Sequence, residues 1–229
     1  MTSPSDDDDS DDQHRFRRLL LQAKAEGCRV LVTGDVGADV LATRSRRLFG
    51  QGENRHRLFA ATALGTDSIR RHLPETVSID DQDVELIRLG DIRSVDVTET
   101  YSTPPHIDDD NEFAAFRWRV VDAIARHRAD HSPDPGELRV GVAPLAPLLD
   151  QHRIECIDEF VRVVGRETVR SNGMAHFHLG LDASSDLAAH LLPEMDVHIQ
   201  LRRRTPRSLE HRWILLRHNV HTDWLPLQE

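Results

Sequence analysis

Lysine is almost absent from this 229-residue chain: of 29 basic side chains only Lys24 is a lysine, and the rest are arginines. A phosphate-binding loop of the usual kind needs a lysine to reach the terminal phosphates, so only Lys24 could serve, and it lies ahead of the first strand pattern. The two cysteines, Cys28 and Cys156, have no partner at metal-ligand or redox spacing, which excludes a thiolate metal site and reads them as inert thiols. Aromatic residues make up 5%, too few for the stacked faces on which single-strand binders rely, so Trp118, Trp213 and Trp224 read as core and edge anchors. No apolar run reaches the roughly 18 residues that span a bilayer. The opening "MTSPSDDDDSDD" is acidic where a signal peptide is basic and then apolar. The expectation is a soluble, cytoplasmic protein that makes no use of a membrane.

What is abundant is acid. Asp and Glu number 39, for a formal net charge of -10. Acidic surface with so little lysine resembles haloarchaeal proteins and implies a cytoplasm rich in salt. At molar salt the Debye length falls to about 3 Å, so long-range steering and surface ion pairs count for little. Ser3 to Asp12 is low-complexity and self-repelling, so residues 1–12 are expected to be a disordered tail, leaving 13–229 as one domain.

Beyond the tail, Phe16, Leu19, Leu20 and Ala23 recur at helical spacing up to Gly27. Strand and helix patterns then alternate. Val30–Val32 is read as a strand and Ala38–Leu48 as a helix; Arg57–Thr62 and Val84–Leu89 are strands around a short helix capped at Thr66 or Asp67. Imperfect alternation at Ile92, Val95 and Val97 leads into the turn-rich acidic loop "STPPHIDDDN". A long helix follows, with Phe113, Phe116, Val120 and Ile124 on one stripe, broken by "HRADHSPDPGE". Next come a strand at Arg139–Val142, a helix with Ile154, Ile157, Val161 and Val164 on one face up to Gly165, and a strand at Gly173–Leu181. In "MDVHIQLRR" Met195, Val197, Ile199 and Leu201 alternate with polar residues, predicting one face in water, and "EHRWILLRH" runs back as its hairpin partner. The fold expected is a three-layer α/β sandwich, mostly parallel, with an antiparallel C-terminal hairpin.

The turn after the first strand, "VTGDVGADV", is where a phosphate loop would sit. Gly34 and Gly37 allow a tight turn, but Ala38 and Asp39 stand where Gly-Lys is wanted, and Asp39 would bring negative charge toward a phosphate. The segments "VLVTGD", "SRRLFG", "LRVGVAPLAPLLD", "GMAHFHL", "DVHIQLRRR", "HRWILL" and "TDWLPL" together resemble an uncharacterised haloarchaeal family that looks like a degenerate RecA/KaiC-type ATPase core. The resemblance covers most of Arg29 to Leu227. It implies that the strand in "RVGVAPL" corresponds to one ending in a metal-orienting aspartate in active RecA-like cores; Ala143 and Pro144 stand there instead.

Other constellations are weaker. His176 and His178 share a strand face, and His190 or His198 could supply a third metal ligand, but with 14 histidines a hydrogen-bonded strand face beneath a helix is the better reading. Arg202, Arg203, Arg204, Arg207 and Arg212, with Arg46 and Arg47, could grip phosphates; acidic net charge and high salt favour solvated edge charge over nucleic acid. No Ser lies in a G-x-S-x-G elbow and Cys156 has none either. The expectation is therefore a non-catalytic RecA/KaiC-like module, binding or regulatory, with a protein partner and with no catalytic residue, metal or cofactor assigned. The alternatives are a nucleotide-binding ATPase-like protein using Thr33, Gly34 and Gly37 in a non-standard loop, or a nucleic-acid-associated regulator using the hairpin arginines.

Overall fold

The computed structural model describes residues 5–94, 111–206 and 208–227. The alternation expected at Val95 and Val97, Arg207 of the hairpin turn and all but the last residue of the "STPPHIDDDN" loop lie outside these residues. Helix α1 (Ser5–Glu26) takes in part of the acidic stretch as well as the expected amphipathic segment. Extending a helix already anchored needs no new nucleus. The anchor is Phe16, Leu19, Leu20 and Ala23, which pack on a buried apolar cluster.

The strands are β1 (Cys28–Thr33), β2 (His56–Ala61), β3 (Val84–Arg88), β4 (Leu138–Ala143), β5 (Met174–His178), β6 (Val197–Thr205), β7 (Ser208–Leu215), β8 (Val220–His221) and β9 (Leu225–Pro226). They form one sheet in the order β3-β2-β4-β5-β1-β6-β7-β8, with β9 also pairing with β7. The pairs from β3 to β6 are parallel, and β7 turns back antiparallel on β6. A parallel sheet must be covered on both faces. On one side lie α1, α2 (Ala38–Phe49) and α3 (Thr66–His72); on the other lie α4 (Asn111–His131), α5 (Ile154–Arg170) and α6 (Asp186–Leu191). This is the expected three-layer α/β sandwich. No described helix is long and apolar enough to cross a membrane.

Helix α4 is placed by the expected stripe, since Phe113, Phe116, Val120 and Ile124 are all buried against the sheet. Helix α5 runs past Gly165 to Arg170. Gly165 is no stop; a Cβ there would meet the Arg29 side chain at 2.9 Å, so the glycine gives passage to that arginine.

Two expectations about β6 fail. Met195 does not share a face with Val197, Ile199 and Leu201: it ends a 3-10 turn (Leu192–Glu194) and packs with the α4–α6 layer, while the other three pack with α1 and α2. The chain is pinned between them at Asp196, whose N–H donates to the Arg29 carbonyl at 3.0 Å and whose carboxylate accepts from the Arg29 N–H at 2.8 Å. Nor does the opposite face of β6 meet water throughout. His198 is 2% exposed and Gln200 half-buried, with Thr33 of the adjacent β1 hydrogen-bonded to the His198 ring and Arg212 of β7 to Gln200; only the arginine end is open. Ile199→Ala is accordingly expected to cost about 2–5 kcal/mol. His198→Ala is expected to cost about 1–3 kcal/mol by leaving the buried Thr33 hydroxyl unpaired. Urea denaturation at fixed high salt reads both; an unchanged midpoint for His198→Ala would put that face back in solvent.

Candidate functional site

The turn that a nucleotide would occupy lies at the C-terminal end of β1, between β5 and β6, where ligands of open α/β sheets bind. The structure brings Thr33, Gly34 and Gly37 together there. Only residues 34–37 separate β1 from α2, which leaves little backbone to wrap a phosphate group. Those residues already have partners. The Gly34 N–H donates to the Leu181 carbonyl at 2.7 Å, and Arg203 donates to the Val36 carbonyl at 3.2 Å. A Cβ on Gly34 would lie 2.4 Å from the Leu201 carbonyl oxygen, so this glycine is accounted for by the close passage of β6. Thr33 is buried, and its hydroxyl hydrogen-bonds His198 Nε2 at 2.8 Å rather than facing the turn. Asp39 stands in the first turn of α2 and pairs with Arg71 at 2.8 Å.

Two strands away, beyond β5, β4 ends at Ala143, which is joined to Pro144 by a cis peptide bond. The Thr62 hydroxyl donates to the Pro144 carbonyl and the Thr62 N–H to the Ala143 carbonyl at 3.1 Å. Where a RecA-like core would present an aspartate, this chain presents a short apolar turn stitched to β2. Lys24 is no substitute for the missing loop lysine. It lines a cavity of about 680 Å³ at the opposite end of the sheet, with Arg55, Arg139 and Glu137. Burial, and next the charge of Arg139, lower its pKa.

His176 and His178 form the hydrogen-bonded strand face expected. Both are fully buried beneath α2 and α3, with Nδ1 of the first 2.9 Å from Nε2 of the second. Phe49 sits edge-on to His176 at 4.6 Å and His72 lies 6.2 Å from His178. Burial pushes the pKa of both well below the usual histidine value, and holds His72 down at about 4 with help from Arg46. The layer is therefore neutral. Neither suggested third ligand joins the pair: His198 lies on the other face of the sheet with Thr33, and His190 is an exposed residue of α6 bonded to the Asp186 carbonyl at 2.9 Å.

The hairpin arginines are largely occupied. Arg202 and Arg204 reach Glu210 at 2.6 and 3.4 Å, Arg212 holds Gln200 at 2.6 Å, and Arg46 pairs with Glu75 at 2.9 Å. Arg202 and Arg212 also lie over the Trp224 ring at 3.9 and 5.0 Å. Trp213 donates to His211 Nδ1 at 2.9 Å beneath Arg44. Those two tryptophans are edge anchors as expected; Trp118, 54% exposed on α4, is not an anchor.

One cluster was not singled out from sequence. His127 and His131, one turn apart near the end of α4, meet His56 at the start of β2, and ligand atoms of the three lie within 4.8 Å of one another. The i, i+4 histidine pair in "ARHRADH" was a usable signal. The third member comes from a distant strand, and only packing brings it in.

With this geometry in place, comparison with known proteins adds kinship. A sequence profile described as a family of unknown function (DUF7504) matches residues 27–201. The chain belongs to the DUF7504 family. No curated protein matches the sequence. Among solved structures, this DUF7504 chain resembles the uncharacterized protein PH0321 from Pyrococcus horikoshii, crystallised in complex with an unknown peptide, with TM-score 0.55 and 9% identity over 88% of this chain and 92% of that one. It also resembles the KaiC-like protein PH0186 of the same hyperthermophilic archaeon, with TM-score 0.53 and 15% identity over 88% of this chain and 86% of that one. The fold of the DUF7504 chain is thus RecA/KaiC-like.

Proposed function

We propose that this chain is a RecA/KaiC-like module without nucleotide hydrolysis that works by binding a protein partner, in signalling or in assembly with an active relative, within a high-salt cytoplasm. The observation that carries the reading is the β1–α2 turn: residues 34–37 are pinned to Leu181, Leu201 and Arg203 instead of being left open to cradle phosphates. The apolar end of β4 at Ala143 and Pro144 supports the same conclusion, since hydrolysis needs a group to orient the metal ion. That a protein of the same fold, PH0321, was crystallised with a peptide lends support to a polypeptide partner. The acidic composition supports the salt-rich setting.

Purified protein in molar potassium chloride with magnesium is expected to turn over neither ATP nor GTP above background. Turnover that co-purifies with the protein and disappears in Thr33→Val would overturn the first half of the proposal. For the second half, tagged protein cross-linked in cells is expected to yield one recurring polypeptide, recovered reciprocally when that polypeptide carries the tag. Failure of the reciprocal capture would count against a partner.

A further inference from the structure

We propose that His56, His127 and His131 form a site for a divalent transition-metal ion of the zinc class, bound by three imidazoles with a water-accessible fourth position. Three observations converge on it. The first is geometry: ligand atoms within 4.8 Å of one another need only small ring rotations to reach the roughly 3.4 Å separation that a tetrahedral ion with bonds near 2.0–2.1 Å imposes. His127 and His131 are one turn apart on α4 and so project to the same side. His56 opens β2 on the sheet face that α4 covers, its ring stacked on that of His131 with centroids 4.3 Å apart and planes 18° from parallel.

The second observation is the state of the nitrogens. His127 is 7% exposed, and its Nδ1 and Nε2 are both buried without a hydrogen-bond partner, Nε2 having only the ion-pair approach of Glu85; His56 Nδ1 is likewise buried and unpartnered. Buried imidazole nitrogens normally have partners, and a metal ion is one way to supply them. Third, the Glu85 carboxylate lies 3.1 Å from His127 Nε2 and is itself held by Arg126 at 2.7 Å, which leaves Nδ1 for an ion. A carboxylate behind a ligating histidine fixes ring orientation and raises the basicity of the metal-facing nitrogen. His131 is exposed and provides the way in from solvent. Imidazole ligands without thiolate or carboxylate in the first coordination shell suit zinc, copper or nickel rather than magnesium or calcium. The site would clamp the C-terminal end of α4 to β2, at the opposite end of the sheet from the β1–α2 turn, and so stands independently of the partner reading.

The test uses full-length, tag-free protein stripped with chelator and titrated with zinc chloride by calorimetry, and with cobalt chloride by visible absorbance. One equivalent of zinc is expected, with a raised melting temperature, and cobalt is expected to give the d–d bands of a tetrahedral site. His131→Ala, at an exposed position, should lower zinc affinity at least tenfold while the metal-free protein melts as before. Glu85→Gln should lower it by about tenfold or more. His190→Ala, outside the cluster, should leave it unchanged. Absence of stoichiometric binding at micromolar zinc overturns the proposal, as does binding that survives in His131→Ala or is lost in His190→Ala.

Discussion

Gly34→Ala is expected to destabilise the fold by more than about 3 kcal/mol, the combined cost of an unfavourable backbone and a collision. Gly34 has φ 138°, a conformation that side chains resist, and its added Cβ would lie 2.4 Å from the Leu201 carbonyl oxygen and 2.8 Å from Leu201 Cβ. Neither is the far end of a flexible side chain. Relief would require β6 to move away from β1, to which it is paired from Val30 to Thr33. Gly37 provides the contrast: it also has positive φ, at 89° with ψ 154°, but an added Cβ there meets nothing within 4 Å. Gly37→Ala should therefore cost only the backbone strain, about 1–3 kcal/mol. Equilibrium urea denaturation at fixed molar salt separates the two. Equal losses would mean that β6 does not press on the turn, and the argument that this glycine serves packing rather than a phosphate would fall with it.

Mild acid should destabilise the protein before most of its carboxylates titrate. His72 and His198 are held at about 4 in the fold, each mainly by burial and secondarily by a nearby arginine, Arg46 and Arg212 respectively. In the unfolded chain a histidine titrates near 6.5. Below that value the unfolded state binds the proton and the fold does not, so stability is fully present above about 6.5 and falls as pH drops toward 4. For either residue the loss between pH 7 and pH 5 is about 2 kcal/mol. His176 and His178, lowered further by burial, act in the same direction. Against total stabilities of about 5–15 kcal/mol this is a large change. Carboxylates, with ordinary values near about 4, contribute mostly below about 5, so the histidines dominate the change between pH 7 and pH 5. Melting temperature followed from pH 7 to pH 5 should fall steeply, and His72→Leu should reduce the slope. A flat profile would mean that these rings are solvated or already protonated in the fold.

Hydropathy pattern alone determined most of the architecture. The apolar stripes of α4 and α5, the strand and helix alternation and the β6–β7 hairpin were legible because each is a local periodicity answering to one buried face. The absence of a loop lysine after Gly37 and of an acid after Val142 was legible for the same reason: both are statements about residue identity at a strand end. What tertiary structure decided is everything that depends on a second element arriving. His198 alternates with apolar neighbours like a solvent-facing residue, yet it is buried because β1 brings Thr33 to its ring. Met195 continues the β6 period in sequence, but Asp196, held by Arg29 from another strand, breaks the face at that point. Gly34 looks like a phosphate-loop glycine until β6 is placed against it. His56 becomes a neighbour of His127 and His131 only when β2 passes beneath α4. Periodicity reports which side of an element is buried; it carries no information about which distant side chain meets it there, and in this chain that second fact decides the character of both ends of the sheet.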